Sequence, residues 1–209
     1  MNATAVLISG KGTNLQALIN YEQEHDSAYN LQLVLSNNPA AGGLQLAEQA
    51  GIETLVVDHK AYVNRTAYDQ ALDAVLSERG IQWIALAGFM RLLSPGFVQK
   101  WSGKMINIHP SLLPAFAGLH THQAALEYGV RYSGCSVIFV DDGVDTGAII
   151  EQAVVPVLEQ DTAASLGKRV LKEEHRIFPQ ALDDVAVGRV SLVSGKVIRQ
   201  PASAHNPFH

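Results

Sequence analysis

The sequence predicts an α/β fold: a mostly parallel, twisted sheet flanked by helices, with an antiparallel edge toward its carboxyl terminus. Three observations carry this. Short apolar runs alternate with longer stretches of helical spacing through the first two thirds of the chain. The runs are almost continuously apolar, as suits strands covered on both faces, whereas a sheet with one wet face would alternate. Past residue 130, two longer strand-like runs flank a polar turn, which marks an antiparallel pair.

In chain order, Ala3 to Ser9 is the first strand, and Asn14 to Glu24 the first helix. Leu31 to Ser36, Glu53 to Val57, Trp83 to Ala87 and Met105 to Ile108 are the next strands. Between and after them, Gly42 to Ala50, Arg65 to Arg79, Ser94 to Trp101 and Thr121 to Tyr128 carry helical spacing. Right-handed crossovers then collect the loops that follow the strands on one edge, a Rossmann-like arrangement. Gly134 to Val140 and Ala148 to Val157 form the antiparallel pair around Asp141 to Gly147. A long amphipathic helix follows from Thr162 to Val187, with Val170, Ile177, Leu182 and Val185 facing the core and Pro179 kinking it or ending its first part. Ser191 to Arg199 reads as a hairpin around Ser194-Gly195. The expected organisation is a single domain over 1–199 with a flexible tail at 200–209.

Composition narrows the function. Of 209 residues, 47% are hydrophobic and 17% charged, which excludes bulk disorder. Fifteen Lys and Arg against 20 Asp and Glu leave a net charge of −5, without the broad basic footprint of a nucleic-acid binder. Any phosphate must therefore be held locally. Cys135 is the only cysteine, so neither an intramolecular disulfide nor an all-cysteine metal site can form. The first residues show no secretory signal and no apolar run is long enough for a membrane span, so a cytoplasmic protein without membrane partners is expected.

Three segments carry candidate chemistry. Ser9-Gly10-Lys11-Gly12-Thr13-Asn14-Leu15 lies between a strand and a helix, where glycines let backbone N–H groups converge on a phosphate. It is neither a dinucleotide fingerprint, since Leu15 takes the third glycine position, nor a Walker A loop. The same residues also suit a tight turn capped by Thr13 or Asn14. Next, strand alternation places Asn107 and His109 on one side of the fifth strand, with Pro110 and Pro114 stiffening the segment that follows. An amide and an imidazole so placed can donate to a developing oxyanion. Third, the turn with Asp141, Asp142 and Asp145 either brings a carboxylate to His109 or is an ordinary surface turn. Gly88 to Leu93 can line a flat ligand's pocket or cap the sheet. His120 and His122 lack a third ligand nearby, so no metal is expected.

Five motifs in order resemble the phosphoribosylglycinamide formyltransferases: Gly10 to Ala17, Ala87 to Pro95, Asn107 to Pro114, Gly118 to His122, and Val140 to Gly147. The resemblance runs from about residue 3 to residue 190 and implies the formyltransferase fold. It implies formyl transfer from the co-substrate 10-formyltetrahydrofolate to the amine of glycinamide ribonucleotide, in purine synthesis. It further implies Asn107, His109 and Asp145 as catalytic residues. Gly12, Thr13, Asn14, Leu171, Lys172, Glu173 and Glu174 would bind the ribonucleotide. Arg65, Met90, Arg91, Leu92, Leu93, Asn107, Asp141, Asp142, Gly143, Val144 and Asp145 would bind the folate. A cis bond is implied at Leu113-Pro114, and the partners are small molecules, with a monomer or homodimer as the assembly.

Two positions depart from that pattern: Ile138 stands where many relatives carry histidine, and Leu171 replaces a polar or basic residue. Both substrates are anionic, so Lys11, Arg65, Arg91, Lys168, Arg169 and Lys172 are candidates for a local positive patch. Formyltetrahydrofolate deformylase is the alternative that shares the Asn, His and Asp set, but it adds a regulatory domain and lacks this phosphate loop. Methionyl-tRNA formyltransferase adds a tRNA-binding domain, for which the residues after the last helix leave no room.

Overall fold

The structure, a computed structural model, describes residues 1–200. The expected flexible tail lies outside the described residues except for Gln200, whose N–H donates to the Arg189 carbonyl at 2.8 Å.

The chain runs β1 (Asn2–Ile8), α1 (Thr13–Glu24), β2 (Tyr29–Ser36), α2 (Gly42–Gln49), β3 (Glu53–Val56), α3 (Arg65–Glu78), β4 (Trp83–Leu86) and α4 (Pro95–Lys100). It continues with β5 (Met105–His109), α5 (Thr121–Tyr128), β6 (Tyr132–Phe139), β7 (Ile149–Pro156), α6 (Ala163–Ala186), β8 (Val190–Val193) and β9 (Lys196–Arg199). Seven strands form one sheet in the order β3-β2-β1-β4-β5-β6-β7. The first five in that order pair in parallel, while β5 with β6 and β6 with β7 are antiparallel. The mostly parallel sheet with an antiparallel edge is thus the predicted one, and β8 and β9 form the predicted hairpin.

Strand periodicity builds two cores, one on each face. In β1, Val6 and Ile8 pack with α1, α2 and α6, while Ala5 and Leu7 pack with α3 and α4. All four are fully buried, which explains why the run reads as continuously apolar. In β5, Ile106 and Ile108 enter the first core and Met105 the second. Asn107 and His109 continue the alternation of Met105 at the strand's end. Cys135 of β6 lies in the first core with no exposed surface, and burial pushes its thiol up to about 12.

Two details differ from expectation. α6 continues through Pro179 to Ala186, so the proline does not end it. Proline removes one backbone hydrogen bond, but Phe178, Pro179, Leu182 and Val185 are all buried, and tertiary packing holds the helix together across the gap. β2 and β6 also begin two residues earlier than their apolar runs. Tyr29 extends β2 because its ring is buried and its hydroxyl donates to the Leu18 carbonyl at 2.9 Å. Tyr132, though exposed, is ladder-paired with Pro156.

Candidate active site

The loop between β1 and α1 turns on Gly12, which takes φ 80° as the residue before the helix. A Cβ there would stand 2.6 Å from the Gly43 Cα, so both the left-handed backbone and the contact with α2 require glycine. No side chain caps α1, and the expected Thr13 or Asn14 cap is not formed. The first-turn N–H groups of the helix are consequently without a side-chain acceptor.

Instead of capping, the Asn14 amide donates to Glu174 of α6 at 2.7 Å. Glu174 is 6% exposed, and burial raises its carboxyl above the usual range against the opposing pull of Asn14 and of His109. The neighbouring residues do not join it. Glu173 accepts from Arg176 at 2.8 Å, Lys172 is exposed and Leu171 is half-buried.

At the end of β5, His109 is 5% exposed and Asn107 half-buried. The His109 Nδ1 lies 3.3 Å from Asp145 Oδ2, and Nε2 donates to the Phe116 carbonyl at 3.0 Å. The turn after β6 starts beside the beginning of β5, where the Val140 N–H donates to the Met105 carbonyl, yet Asp145 reaches the strand's other end. Asp145 does so with φ 54°, and its carboxylate also accepts from the Gly118 N–H at 2.8 Å. Of the two readings of this turn, the structure takes the one that brings a carboxylate to His109. Asp141 serves the turn itself, accepting from Gly143 N–H and Thr146 Oγ1, while Asp142, Gly143 and Val144 are exposed. The Leu113-Pro114 bond is cis, as the resemblance implies.

The loop after β4 presents Met90 and Leu92 outward, 67% and 54% exposed, above a buried Phe89. Arg91 does not point freely outward: its guanidinium carbon stands 5.5 Å from the centre of the Tyr68 ring. Arg65 is exposed at the first turn of α3, Leu93 is half-buried, and Arg169 is tied to Asp161 at 2.8 Å, which removes it from the expected positive patch. His120 is exposed and His122 half-buried, its ring packed on Gly167 of α6. No group of three or more potential metal ligands occurs among the described residues.

Ser9, the first residue of the candidate phosphate loop, and Asn37, which no sequence motif marks, join the loops of β1, β2 and β4. The Ser9 hydroxyl donates to Asn37 Oδ1 at 2.6 Å and accepts from the Met90 N–H at 2.8 Å. The signal for Asn37 was position alone, since it stands just past a strand end at the edge where open α/β sheets assemble sites.

Fold and edge together define an α/β protein whose site is built from loops beyond a parallel sheet. Residues 2–182 match the formyl transferase family, and the chain belongs to it. It is 44% identical over 187 residues to the phosphoribosylglycinamide formyltransferase of Escherichia coli, covering 90% of this chain and 88% of that one. It is 55% identical over 194 residues to the human trifunctional purine biosynthetic protein adenosine-3, covering 92% of this chain but spanning only 19% of that protein. The crystal structure of glycinamide ribonucleotide transformylase 1 from Symbiobacterium toebii superposes with a TM-score of 0.93 at 45% identity, covering 96% of this chain and 95% of that one.

Proposed function

We infer that this chain transfers the formyl group of 10-formyltetrahydrofolate to the amine of N1-(5-phospho-D-ribosyl)glycinamide, giving the N-formyl product and tetrahydrofolate, a step of purine synthesis. The observation that carries this is 44% identity across nearly the whole length of a phosphoribosylglycinamide formyltransferase. The convergence of Asn107, His109 and Asp145 at one sheet edge supports it.

In this reading the substrate amine attacks the formyl carbon directly, and no protein nucleophile takes part. The resulting oxyanion sits between the Asn107 amide and the His109 imidazolium, taking over the ring N–H that the Phe116 carbonyl holds here. Asp145 sustains the charge on the ring and helps carry a proton from the attacking nitrogen toward the folate leaving nitrogen. The uncapped N–H groups at Gly12, Thr13 and Asn14 hold the ribonucleotide phosphate, and Glu174 meets the glycinamide end. Arg65, the Met90 to Leu93 loop and the Asp141 to Asp145 turn hold the folate. The ribonucleotide and folate are small-molecule substrates, and the chemistry asks for no metal.

The test is absorbance-monitored deformylation of 10-formyltetrahydrofolate by the purified protein, with and without the ribonucleotide. Folate product appears only when the ribonucleotide is present. Product in its absence would instead identify a hydrolase, and no product in either case would overturn the activity.

A further inference from the structure

We infer that Ser9 is a positioning residue that ties the phosphate loop to the folate loop and so sets the separation of the two substrates; this rests on the activity proposed above. A serine hydroxyl has one proton and two lone pairs. Here the proton goes to Asn37 Oδ1 at 2.6 Å, and Asn37 is 7% exposed, so the acceptor is held in place. That leaves the lone pairs facing the Met90 N–H, 2.8 Å away. The Ser9 carbonyl is held as well, accepting from the Asn38 amide at 3.2 Å.

The folate loop is thereby anchored at two points. Met90 hangs from Ser9, and the Ser94 N–H donates to the carboxylate of Asp69, itself 2% exposed. Only the first anchor links it to the phosphate loop, because Ser9 directly precedes Gly10 to Asn14. Side chains at Met90 and Leu92 ride on that anchored backbone. The loop proposed to hold the folate is thus fixed at Met90 by Ser9, and freeing it there weakens how the folate is held.

The experiment compares wild type, Ser9→Ala and Ser9→Thr in steady-state kinetics with each substrate varied separately, and follows exchange of the Met90 amide by NMR. Losing one neutral hydrogen bond predicts a folate KM raised about three- to tenfold in Ser9→Ala, with the ribonucleotide KM within about twofold of wild type. Exchange at Met90 accelerates, and Ser9→Thr, which keeps the hydroxyl, restores both. A folate KM within about twofold of wild type overturns the role, as do equal rises in both KM values or a lowered melting temperature with both unchanged. Failure of Ser9→Thr to restore the folate KM overturns it too. A wild type without turnover overturns the activity and this role together, whereas normal turnover with an unaltered Ser9→Ala folate KM overturns this role alone.

Discussion

The Nε2 of His109 donates to the Phe116 carbonyl and its Nδ1 lies 3.3 Å from the Asp145 carboxylate, so both partners orient His109. Replacing it with alanine removes a donor to the proposed oxyanion, so His109→Ala is expected to lose roughly 10²–10³ in kcat. Asp145→Asn falls in the same direction, since a neutral amide cannot sustain the imidazolium. Ribonucleotide affinity, followed by titration, stays close to wild type in both. Glu174 gives a pH prediction with a defined sign. Its folded carboxyl titrates above the ordinary 4.5, so below that value both folded and unfolded states are protonated and its contribution to stability is fully present. The contribution is lost as pH rises through the folded pKa. Glu174→Gln, which still accepts from Asn14, is expected to melt higher than wild type at about pH 7, with the gap closing toward about pH 4 in thermal scans. Through its proposed contact with the glycinamide end it is also expected to weaken ribonucleotide binding, read by titration. Asn107 and His109 were legible because strand period two is local and puts them together. The approach of Asp145 was not, because it depends on a left-handed residue in a turn that doubles back. The Ser9 bonds were beyond reach for a related reason: their partners come from two other strands.

Among the elements, α6 shows what local rules capture and what they miss. Its start is written in the chain. The Thr162 side chain accepts from the Ser165 N–H at 3.1 Å and the Ser165 hydroxyl accepts from the Thr162 N–H at 2.9 Å, a reciprocal cap. Thr162→Ala is therefore expected to cost about 0.5–2 kcal/mol, read as a lower urea midpoint with unchanged slope. Pro179 is the opposite case. A proline rule allows a kink or an end, and the end does not occur: buried residues on either side carry the helix on, and burial is a property of the partner surface rather than of the helix. Strand starts at Tyr29 and Tyr132 were missed because ladder pairing and a buried ring extend a strand past its apolar run.

Across the molecule, apolar runs announced the class of fold, since only strands covered on both faces lack alternation. They left the strand order open: that β1 lies between β2 and β4 follows from crossovers in space. Phe178 has no exposed surface in the core that α6 shares with the sheet, and Phe178→Ala is expected to cost about 3–5 kcal/mol. Against a typical total of about 5–15 kcal/mol, such a variant sits near its unfolding limit, which calorimetry would show as a large fall in melting temperature. Cys135, sealed in that same core, gives the molecule a built-in clock. An alkylating reagent at neutral pH can reach the thiol only when the sheet opens, so labelling proceeds no faster than the protein breathes. Anything that binds the closed form must slow the clock by mass action, and the slowing measures affinity for each substrate separately, with no product ever formed.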